Sequence, residues 1–177
     1  MPIAAGKRLG INDETALEKS VMKGARTLVT GGCGFLGRRI VDMLLDRGAQ
    51  VRVLGRRSEP PCSLNGVEYM AGDIRDADAV KAACQGVETV FHTAALTGIW
   101  GERERFVGVN VHGTRQLINA CCQIGVRRLV YTSSPSVVFD GRNIRGGDER
   151  GPYAKKFYAA YPETKAVAEE TVLAANS

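Results

Sequence analysis

Short apolar runs alternate with amphipathic stretches along most of the chain. From Arg26 onward, five runs rich in Val, Leu and Tyr indicate buried strands, and the segments between them carry apolar residues at helical spacing. The strand runs are RTLVT, QVRVL, VEYMAGD, VETVFHTAA and VRRLVYTSS. The helical segments are RRIVDMLLDRG, DADAVKAAC, ERERFVGVNVHGTRQLINACCQIG and one from about Tyr161. This alternation predicts an α/β fold, a doubly wound parallel sheet with strand order 3-2-1-4-5 and helices on both faces.

The periodic pattern also suggests where the domain begins. Residues 1–24 show no sustained period, so we expect an N-terminal extension that is disordered or forms a short helix over NDETALEKSVMK, capped by Asn12 or Asp13. Residues 25–177 are predicted to form one domain. An irregular stretch, PSVVFDGRNIRGGDERGPYAKKFYAA, separates the fifth strand from the last helix.

The composition excludes several classes of protein. Hydrophobic residues make up 44% and charged residues 24% of the chain, which is ordinary for a globular domain. We expect no membrane span because no apolar run is long enough, and a cytoplasmic protein because the N-terminus lacks the apolar segment of a secretory signal. The net charge of +5 comes from scattered basic pairs, and aromatic residues are only 6%, so no nucleic-acid partner is expected.

The five cysteines do not form a recognisable framework. Their number is odd, no CxxC spacing occurs, and only Cys121 and Cys122 are adjacent. The pattern predicts neither disulfides nor a zinc site and fits a reducing compartment. We therefore expect all five to fill the core or to have no role.

A glycine-rich segment follows the first predicted strand. In TGGCGFLG, Gly32, Gly34 and Gly37 form the pattern GxGxxG, and Gly31, Gly34 and Gly37 form the variant GxxGxxG. Glycines at this spacing let the backbone turn tightly and approach a diphosphate, which then lies at the helix N-terminus. Because the segment joins a strand to a helix within a strand–helix–strand unit, it predicts dinucleotide binding.

The end of the second strand indicates which dinucleotide is preferred. In such folds an acid at this place holds the adenosine ribose hydroxyls, whereas an arginine accommodates a 2′-phosphate. Here Gly55 occupies the place of the acid and is followed by Arg56 and Arg57. The sequence thus favours NADP(H) over NAD(H), because two cations can pair with the phosphate. The alternative is that both arginines face solvent.

Taken together, the motifs resemble those of the extended short-chain dehydrogenase/reductase family, with its Rossmann-type fold. The matching elements are TGGCGFLG, GDIRD, HTAA, VNVHGT, YTSSPSV and YPETK, in the family's order over residues 26–176. The region from TSSPSVVFDGRN to the end is similar to the 3β-hydroxysteroid dehydrogenase branch, which includes sterol-4α-carboxylate 3-dehydrogenases and 2-alkyl-3-oxoalkanoate reductases. The resemblance implies hydride exchange between a nicotinamide and a secondary alcohol or ketone of a small apolar substrate.

The resemblance also implies a set of cofactor-binding residues. Asp73 and Ile74 would flank the adenine, Asp73 accepting from its amino group, and Asn110 would support the active site. Small residues at the end of the fourth predicted strand would line the nicotinamide-side ribose. Together with Arg56, the full set is Gly31, Gly34, Phe35, Leu36, Gly37, Asp73, Ile74, Thr93, Ala94, Ala95, Tyr161 and Lys165.

The expected catalytic residues are Ser134, Tyr161 and Lys165. Tyr161 and Lys165 are four residues apart, so they share one helix face. A nearby ammonium lowers the pKa of a phenol, which is otherwise about 10 and too high for a base at neutral pH. The serine hydroxyl would bond the substrate oxygen. Ser133 competes with Ser134, but Ser134 matches the family's SS-x-x-V pattern, and alternation along a strand would send the two side chains to opposite faces.

Other candidate residues are weaker. Tyr153 and Tyr158 lack a lysine four positions on, and His92 and His112 are too few for a metal site and are expected to be structural. Trp100 follows the fourth strand, and either contact with substrate or plain packing would account for it.

Two further functions stay open. Family members continue well past residue 177 with further strands and a substrate-binding region, so the chain resembles a member truncated after the YxxxK helix. It could therefore be a dinucleotide-binding remnant without turnover, and its fifth strand would be an edge open to pairing, as in a homodimer. A nucleotide-sugar epimerase or dehydratase of the same family is the third reading.

Overall fold

A five-stranded parallel sheet forms the centre of the structure, a computed structural model that describes residues 22–139, 141 and 151–176. The strands lie in the order β3-β2-β1-β4-β5 and are parallel throughout. The doubly wound fold and the strand order predicted from the sequence are therefore confirmed. The strands are β1 (Arg26–Thr30), β2 (Gln50–Gly55), β3 (Val67–Ala71), β4 (Thr89–His92) and β5 (Arg128–Tyr131).

Within the described residues, four helices and one 3₁₀ helix connect and cover the strands. Helix α3 is continuous but has three parts, of which the middle one is π-helical. The elements are α1 (Phe35–Asp46), α2 (Ala77–Cys84), α3 (Arg103–Phe106, Val107–His112 and Gly113–Ile124), the 3₁₀ helix (Pro135–Val138) and α4 (Ala160–Ala174).

Several predicted boundaries were wrong at the carboxyl edge of the sheet. β4 ends at His92 and β5 at Tyr131, each three residues before the predicted end, and β3 ends two residues early at Ala71. For β4 the cause is its neighbour β1, which ends at Thr30 and is followed by the glycine loop. The residues after His92 therefore have no strand partner on that side. Helix α1 begins at Phe35, earlier than predicted, because the loop passes directly into the helix, with Arg38 N donating to Gly34 O at 2.8 Å.

Apolar side chains fill both faces of the sheet. Leu28 and Val29, adjacent on β1, point to opposite faces and are both fully buried. Leu28 belongs to the cluster beneath α2 and α3, which includes Val80, Val90 and Leu117. Val29 belongs to the cluster beneath α1, with Val41, Leu44, Val51 and Val53. This double covering holds the carboxyl ends of the strands, where the candidate site lies.

The ends of the described chain add two observations. Residues 1–21, which hold most of the predicted extension, lie outside the described residues, but Gly24 N donates to Gly48 O at 2.9 Å, so the last part of that segment joins the fold. The outer edge of β5 has no strand partner within the described residues. Dimerisation through it stays a prediction. Within the described ranges, no helix is both long and apolar enough to cross a bilayer.

Candidate functional site

The glycine loop between β1 and α1 is closely packed. Gly31 has φ +72°, and a Cβ there would lie 2.9 Å from Ala94 N. A Cβ on Gly37 would lie 2.2 Å from Gly31 O, closer than any side chain allows. Gly34 N donates to Gly31 O at 2.8 Å and closes the turn. Glycine is therefore required here by backbone conformation at one position and by close approach at another.

The N-terminus of α1 has the features expected of a diphosphate site. Its N-cap residue is Gly34, no side chain caps it, and its first turn contains no acid. By contrast, Asp76 caps α2 by accepting from Asp78 N and Ala79 N. An uncapped helix end presents N–H groups and partial positive charge to an anion. The residues present thus fit the group that the sequence predicts.

A cleft of about 180 Å³ adjoins this loop at the point where the sheet order reverses. Such switch points are where open α/β sheets bind ligands. The structure brings five predicted cofactor-binding residues to the cleft: Gly31, Arg56, Ile74, Ala94 and Ala95. Phe35 and Leu36 lie outside it on the helix start, 100% and 44% exposed. Thr93 supports the loop from below, its Oγ1 donating to Thr30 O at 2.8 Å.

Asp73 has a partner that the sequence analysis missed. Its carboxylate accepts from Arg75 Nε at 2.9 Å and from Arg75 Nη2 at 2.7 Å. These hydrogen bonds hold the pKa of Asp73 below its usual value. Arg75 stands two residues on in the GDIRD motif, so the spacing could have indicated the pair. An ionised Asp73 still has acceptor positions for an adenine amino group.

Gly55 at the end of β2 has a structural cause. A Cβ on Gly55 would lie 2.6 Å from the hydroxyl of Tyr69 on β3. That hydroxyl donates to Arg57 O at 2.8 Å and so also orders the residues after the strand. A side chain at position 55 would therefore have to displace the hydroxyl end of Tyr69, and Arg56, which is exposed, borders the cleft.

Helix α4 carries Tyr161 and Lys165 to the carboxyl edge of the sheet. Lys165 is only 4% exposed, and its Nζ donates to Thr132 O at 2.5 Å and lies 4.0 Å from the ring centre of Tyr131. Burial lowers the pKa of Lys165 to about 8, against the opposing effect of Glu169. Tyr161 is half-buried one helical turn before it. The predicted pair therefore shares one face of α4, beside the residues that follow β5.

The two candidate serines follow β5 and contact different elements. Ser133 Oγ donates to Glu169 on α4. Ser134 is the N-cap of the 3₁₀ helix, with Oγ 2.7 Å from Ser136 Oγ and 3.3 Å from Ser136 N. β5 ends at Tyr131, but the backbone of Ser134 is still extended, with φ −147° and ψ 138°. The choice of Ser134 over Ser133 stays a prediction.

Asn110 connects the loop after β4 to α4. Its Oδ1 accepts from Leu96 N at 2.8 Å, and its Nδ2 donates to Leu96 O and to Thr164 Oγ1, both at 3.0 Å. Thr164 in turn donates to Ala160 O. Asn110 is 2% exposed and lies in the π-helical part of α3. Asn110 therefore contacts both segments without an intermediary. The sequence analysis missed its partner Thr164, which lies inside the YPETK motif itself.

A second link between α3 and α4 runs over the surface. Arg103 Nη2 and Glu163 Oε1 are 2.5 Å apart, which connects the start of α3 to the first turn of α4. This hydrogen-bonded pair holds the pKa of Glu163 below its usual value. Both groups are partly in water, so their contribution to stability is small. The residue pair was not predicted, because 60 residues separate its members.

His92 lies at the centre of a buried hydrogen-bond chain. Thr114 Oγ1 donates to Asn110 O at 2.6 Å, so it accepts from His92 Nε2 at 3.0 Å. Nδ1 of the ring then accepts from Thr30 Oγ1 at 2.7 Å, and Thr30 Oγ1 itself accepts from Ala94 N at 3.3 Å. The network assigns the proton of the neutral ring to Nε2. His92 is thus structural, and it connects β1, β4 and α3 beneath the cleft.

Trp100 lies 89% exposed in the loop after β4. Plain packing against the described residues, one of its two predicted roles, is therefore not observed. Contact with a substrate stays a prediction.

Acid is expected to destabilise the fold through His92. Burial, with a smaller contribution from the charge of Lys165, lowers the pKa of His92 to about 3, whereas an unfolded histidine titrates near 6.5. The unfolded chain thus binds more protons below pH 6.5, and stability falls as the pH drops towards 3. Between about pH 6.5 and pH 5 we expect a loss of roughly 2 kcal/mol in the free energy of unfolding.

Urea unfolding at the two pH values, for the wild type and His92→Gln, measures this effect. The variant has no titrating group at this position, so its free energy of unfolding should change much less over the same interval. Asp73 and Glu163, whose pKa values are lowered, titrate below the interval in both proteins. An equal loss in both proteins would show that His92 does not cause it.

The sheet, the open helix N-terminus at its switch point and the tyrosine–lysine helix together define a Rossmann-type protein of the short-chain dehydrogenase/reductase class. The chain belongs to the 3-beta hydroxysteroid dehydrogenase/isomerase family, which matches residues 28–177. The resemblance stated from the motifs is therefore confirmed.

Comparison with individual proteins gives the same class. A 3 beta-hydroxysteroid dehydrogenase/Delta 5→4-isomerase of Mycobacterium tuberculosis (strain CDC 1551 / Oshkosh) is 48% identical over 158 residues, which is 85% of this chain and 43% of that protein. A 2-alkyl-3-oxoalkanoate reductase of Shewanella oneidensis is 38% identical over 95% of this chain and 43% of its own. The chain thus spans less than half the length of these relatives.

Among solved structures, the UDP-glucose 4-epimerase of Thermus thermophilus in complex with NAD is similar. Its TM-score is 0.73 at 32% identity, and the match covers 84% of this chain and 50% of that one. The likeness extends the comparison from sequence to fold.

Proposed function

We propose that the chain forms the dinucleotide-binding and catalytic part of an NAD(P)-dependent oxidoreductase that interconverts a secondary alcohol and a ketone. The observation that carries the proposal is the placement of Lys165. Its ammonium is buried at the carboxyl edge of the sheet, bonded to Thr132 O, one helical turn from Tyr161 and next to the segment that holds Ser134. A buried cation one helical turn from a phenol, at the carboxyl edge of the sheet, suits proton transfer.

In this proposal the protein moves a proton and the cofactor moves a hydride. A bound nicotinamide would accept or supply the hydride. Tyr161 Oη takes the proton from the alcohol, or returns it to the ketone oxygen, and Lys165 stabilises the negative charge that forms on Tyr161. Ser134 Oγ donates to the substrate oxygen and steadies its developing charge. Asn110 acts indirectly, by fixing α4 against the loop after β4.

The glycine loop and the cleft are proposed to hold the dinucleotide. The α1 N-terminus with Gly31, Gly34 and Gly37 would bind the diphosphate, with Phe35 and Leu36 beside it. The remaining assignments follow the family. Asp73 and Ile74 would flank the adenine, and Thr93, Ala94 and Ala95 would line the nicotinamide-side ribose. Tyr161 and Lys165 would contact that ribose as well.

Arg56 is proposed to make NADP(H) the preferred cofactor. Position 55 carries no carboxylate that would repel a 2′-phosphate, and Arg56 borders the cleft. A charge-assisted bond to phosphate contributes about 1.5–3 kcal/mol, so Arg56→Ala should weaken NADPH binding roughly 10- to 100-fold and leave NADH binding within about twofold. Fluorescence titration with both reduced cofactors measures this.

Arg127→Ala provides the matched control, since Arg127 is exposed and precedes β5, at the opposite edge of the sheet. It should change neither affinity. If the wild type binds NADH as tightly as NADPH, the assignment of Arg56 is wrong.

The substrate is proposed to be apolar and to carry one secondary hydroxyl or keto group. The relatives reported above are named for a hydroxysteroid and for a 2-alkyl-3-oxoalkanoate, which share this chemistry. An absorbance assay at the nicotinamide band, over a panel of 3-hydroxysteroids, 3-ketosteroids and 2-alkyl-3-oxoalkanoates, tests the proposal. Turnover of at least one member supports it. Tight dinucleotide binding without turnover of any member would favour the remnant without catalysis.

A second candidate is an epimerase acting on a nucleotide sugar. The observation that favours it is the fold likeness to the UDP-glucose 4-epimerase. An epimerase regenerates its cofactor in each cycle, so it would convert a UDP-sugar to its epimer without net change in nicotinamide absorbance. Product analysis by chromatography after incubation with UDP-glucose separates the two candidates.

A further inference from the structure

Two of the five cysteines, all expected to fill the core or to have no role, lie at the glycine loop and are half-buried. Cys33 lies inside the loop, between Gly32 and Gly34, and Cys62 lies in the segment between β2 and β3. Their Sγ atoms are 2.7 Å apart although 29 residues separate them in the chain. A disulfide bond is about 2.05 Å long, so a shift of well under 1 Å would join them.

The surroundings keep these two sulfurs together and within reach of solvent. Both residues are half-buried, so small reagents can reach the pair. Arg38 on α1 donates through Nη1 to Ser63 O, which anchors the Cys62 segment to the helix that follows the glycine loop. Asp42 and, less strongly, Cys62 raise the pKa of Arg38, so the positive charge of Arg38 acts on any negative charge formed on the Cys62 sulfur.

The remaining cysteines are placed differently. Cys84 and Cys121 are buried at 0% and 6% exposure between the sheet, α2 and α3, where the protein shields them from reagents. Cys122 is exposed on α3. The chain therefore contains an accessible pair, a shielded pair and a single exposed thiol, which makes Cys122 an internal reference for reactivity.

We propose that Cys33 and Cys62 form a redox-active dithiol that low-molecular-weight disulfides convert reversibly to an intramolecular disulfide. The bond would tie the glycine loop to the segment between β2 and β3, which begins with Arg56 and Arg57. This inference does not depend on the proposed function, because it requires only the position of the two thiols.

The reaction with glutathione disulfide proceeds in two exchanges. Cys62, as its thiolate, attacks one sulfur of the reagent, whose S–S bond breaks and whose leaving thiolate takes up a proton. Cys33 then loses its proton and attacks the Cys62 sulfur, which expels a second glutathione thiol. Overall, two protein thiols are oxidised to one disulfide and one glutathione disulfide is reduced to two thiols, so atoms and electrons balance.

The order of attack follows from the surroundings of the two sulfurs. Burial, together with the hydrogen bond to Cys62, raises the pKa of Cys33 to about 11, so Cys33 remains a thiol near neutral pH. Only thiolates attack disulfides at a useful rate. The positive charge of Arg38 acts on Cys62, which is therefore assigned the first attack.

Peptide mapping by mass spectrometry, after incubation of the folded protein with glutathione disulfide, tests the proposal. In the wild type we expect a Cys33–Cys62 peptide cross-link that dithiothreitol reverses, formed at least tenfold faster than the mixed disulfide at Cys122. Cys33→Ser should stop at a mixed disulfide on Cys62, whereas Cys62→Ser should react slowly at Cys33. Cys122→Ser should keep the cross-link.

Two outcomes would overturn the inference. One is reaction at Cys122 without any Cys33–Cys62 cross-link in the folded wild type. The other is a cross-link that forms only in urea, which would show that the native geometry does not promote it. Since dinucleotide binding and turnover are not readouts, failure of the proposed function would leave these results unchanged.

Discussion

Replacing Tyr161 by phenylalanine is expected to lower turnover by about 10²- to 10⁴-fold, the range typical of losing a general acid–base group. The phenyl ring keeps the packing of α4 but removes the hydroxyl that is proposed to exchange a proton with the substrate. Dinucleotide affinity should stay within about threefold of the wild type, because the diphosphate and adenine contacts lie elsewhere. Steady-state rates on the best substrate of the panel, with cofactor titration in parallel, measure both quantities.

Tyr158→Phe is the matched control, since the Tyr158 side chain is 66% exposed and near Lys156 rather than Lys165. It should leave turnover unchanged. Retention of more than half the wild-type rate by Tyr161→Phe would remove Tyr161 from the mechanism.

The two serines can be ranked in the same assay. Ser134→Ala should reduce turnover more than Ser133→Ala, because the Ser133 hydroxyl already donates to Glu169. The reverse order would transfer the catalytic role to Ser133.

The second large effect is expected at Gly37. An alanine Cβ there would stand 2.2 Å from Gly31 O and 2.8 Å from both Gly31 C and Thr93 Oγ1. Two of these atoms belong to the backbone, so the helix must move away from the loop. We expect a loss of about 2–4 kcal/mol in the free energy of unfolding and at least tenfold weaker dinucleotide binding in the protein that still folds. Urea unfolding and cofactor titration measure the two effects.

Gly108 offers a control of the same chemical change. It also lies in a helix, but a Cβ there would find its nearest atom, Arg75 Cδ, at 3.7 Å. Gly108→Ala should therefore be neutral or stabilising by up to about 1 kcal/mol. If Gly37→Ala is as mild as Gly108→Ala, the close approach of α1 to the loop is not a requirement.

The sequence was sufficient for the parts of the fold that repeat. Each strand is a short apolar run and each helix an amphipathic one, so the alternation determines a parallel sheet, and the glycine loop marks the first crossover. Helix α2 even shows its start, because Asp76 caps it through its own side chain. Local propensity and tertiary packing agree in these segments, which is why they were predictable.

Prediction failed where packing between distant residues decides the structure. The π-helical part of α3 lies where Asn110 contacts Leu96 and Thr164, and no local pattern signals those contacts. The ends of β4 and β5 depend on which neighbouring strand has already ended. At Gly55 the sequence showed only that an acid is missing, whereas the structure shows that Tyr69 fills the space.

The candidate site divides in the same way. The motif residues Tyr161 and Lys165 could be named from their spacing, and so could the glycines. The buried hydrogen-bond chain beneath the cleft could not be predicted, because its members Thr30, His92 and Thr114 lie on three different elements. Nor could the Cys33–Cys62 contact, since the two residues are brought together only when the segment after β2 folds back over the start of α1.

Binding of a dinucleotide diphosphate at the α1 N-terminus is the step on which the proposed chemistry depends most. Calorimetric titration of the folded protein with NADPH, and with NADH and ADP-ribose for comparison, tests this directly. We expect one site per chain with micromolar affinity for NADPH, weaker binding of NADH, and at least tenfold weaker binding of both in Gly37→Ala. A folded protein that binds none of the three ligands would contradict the account.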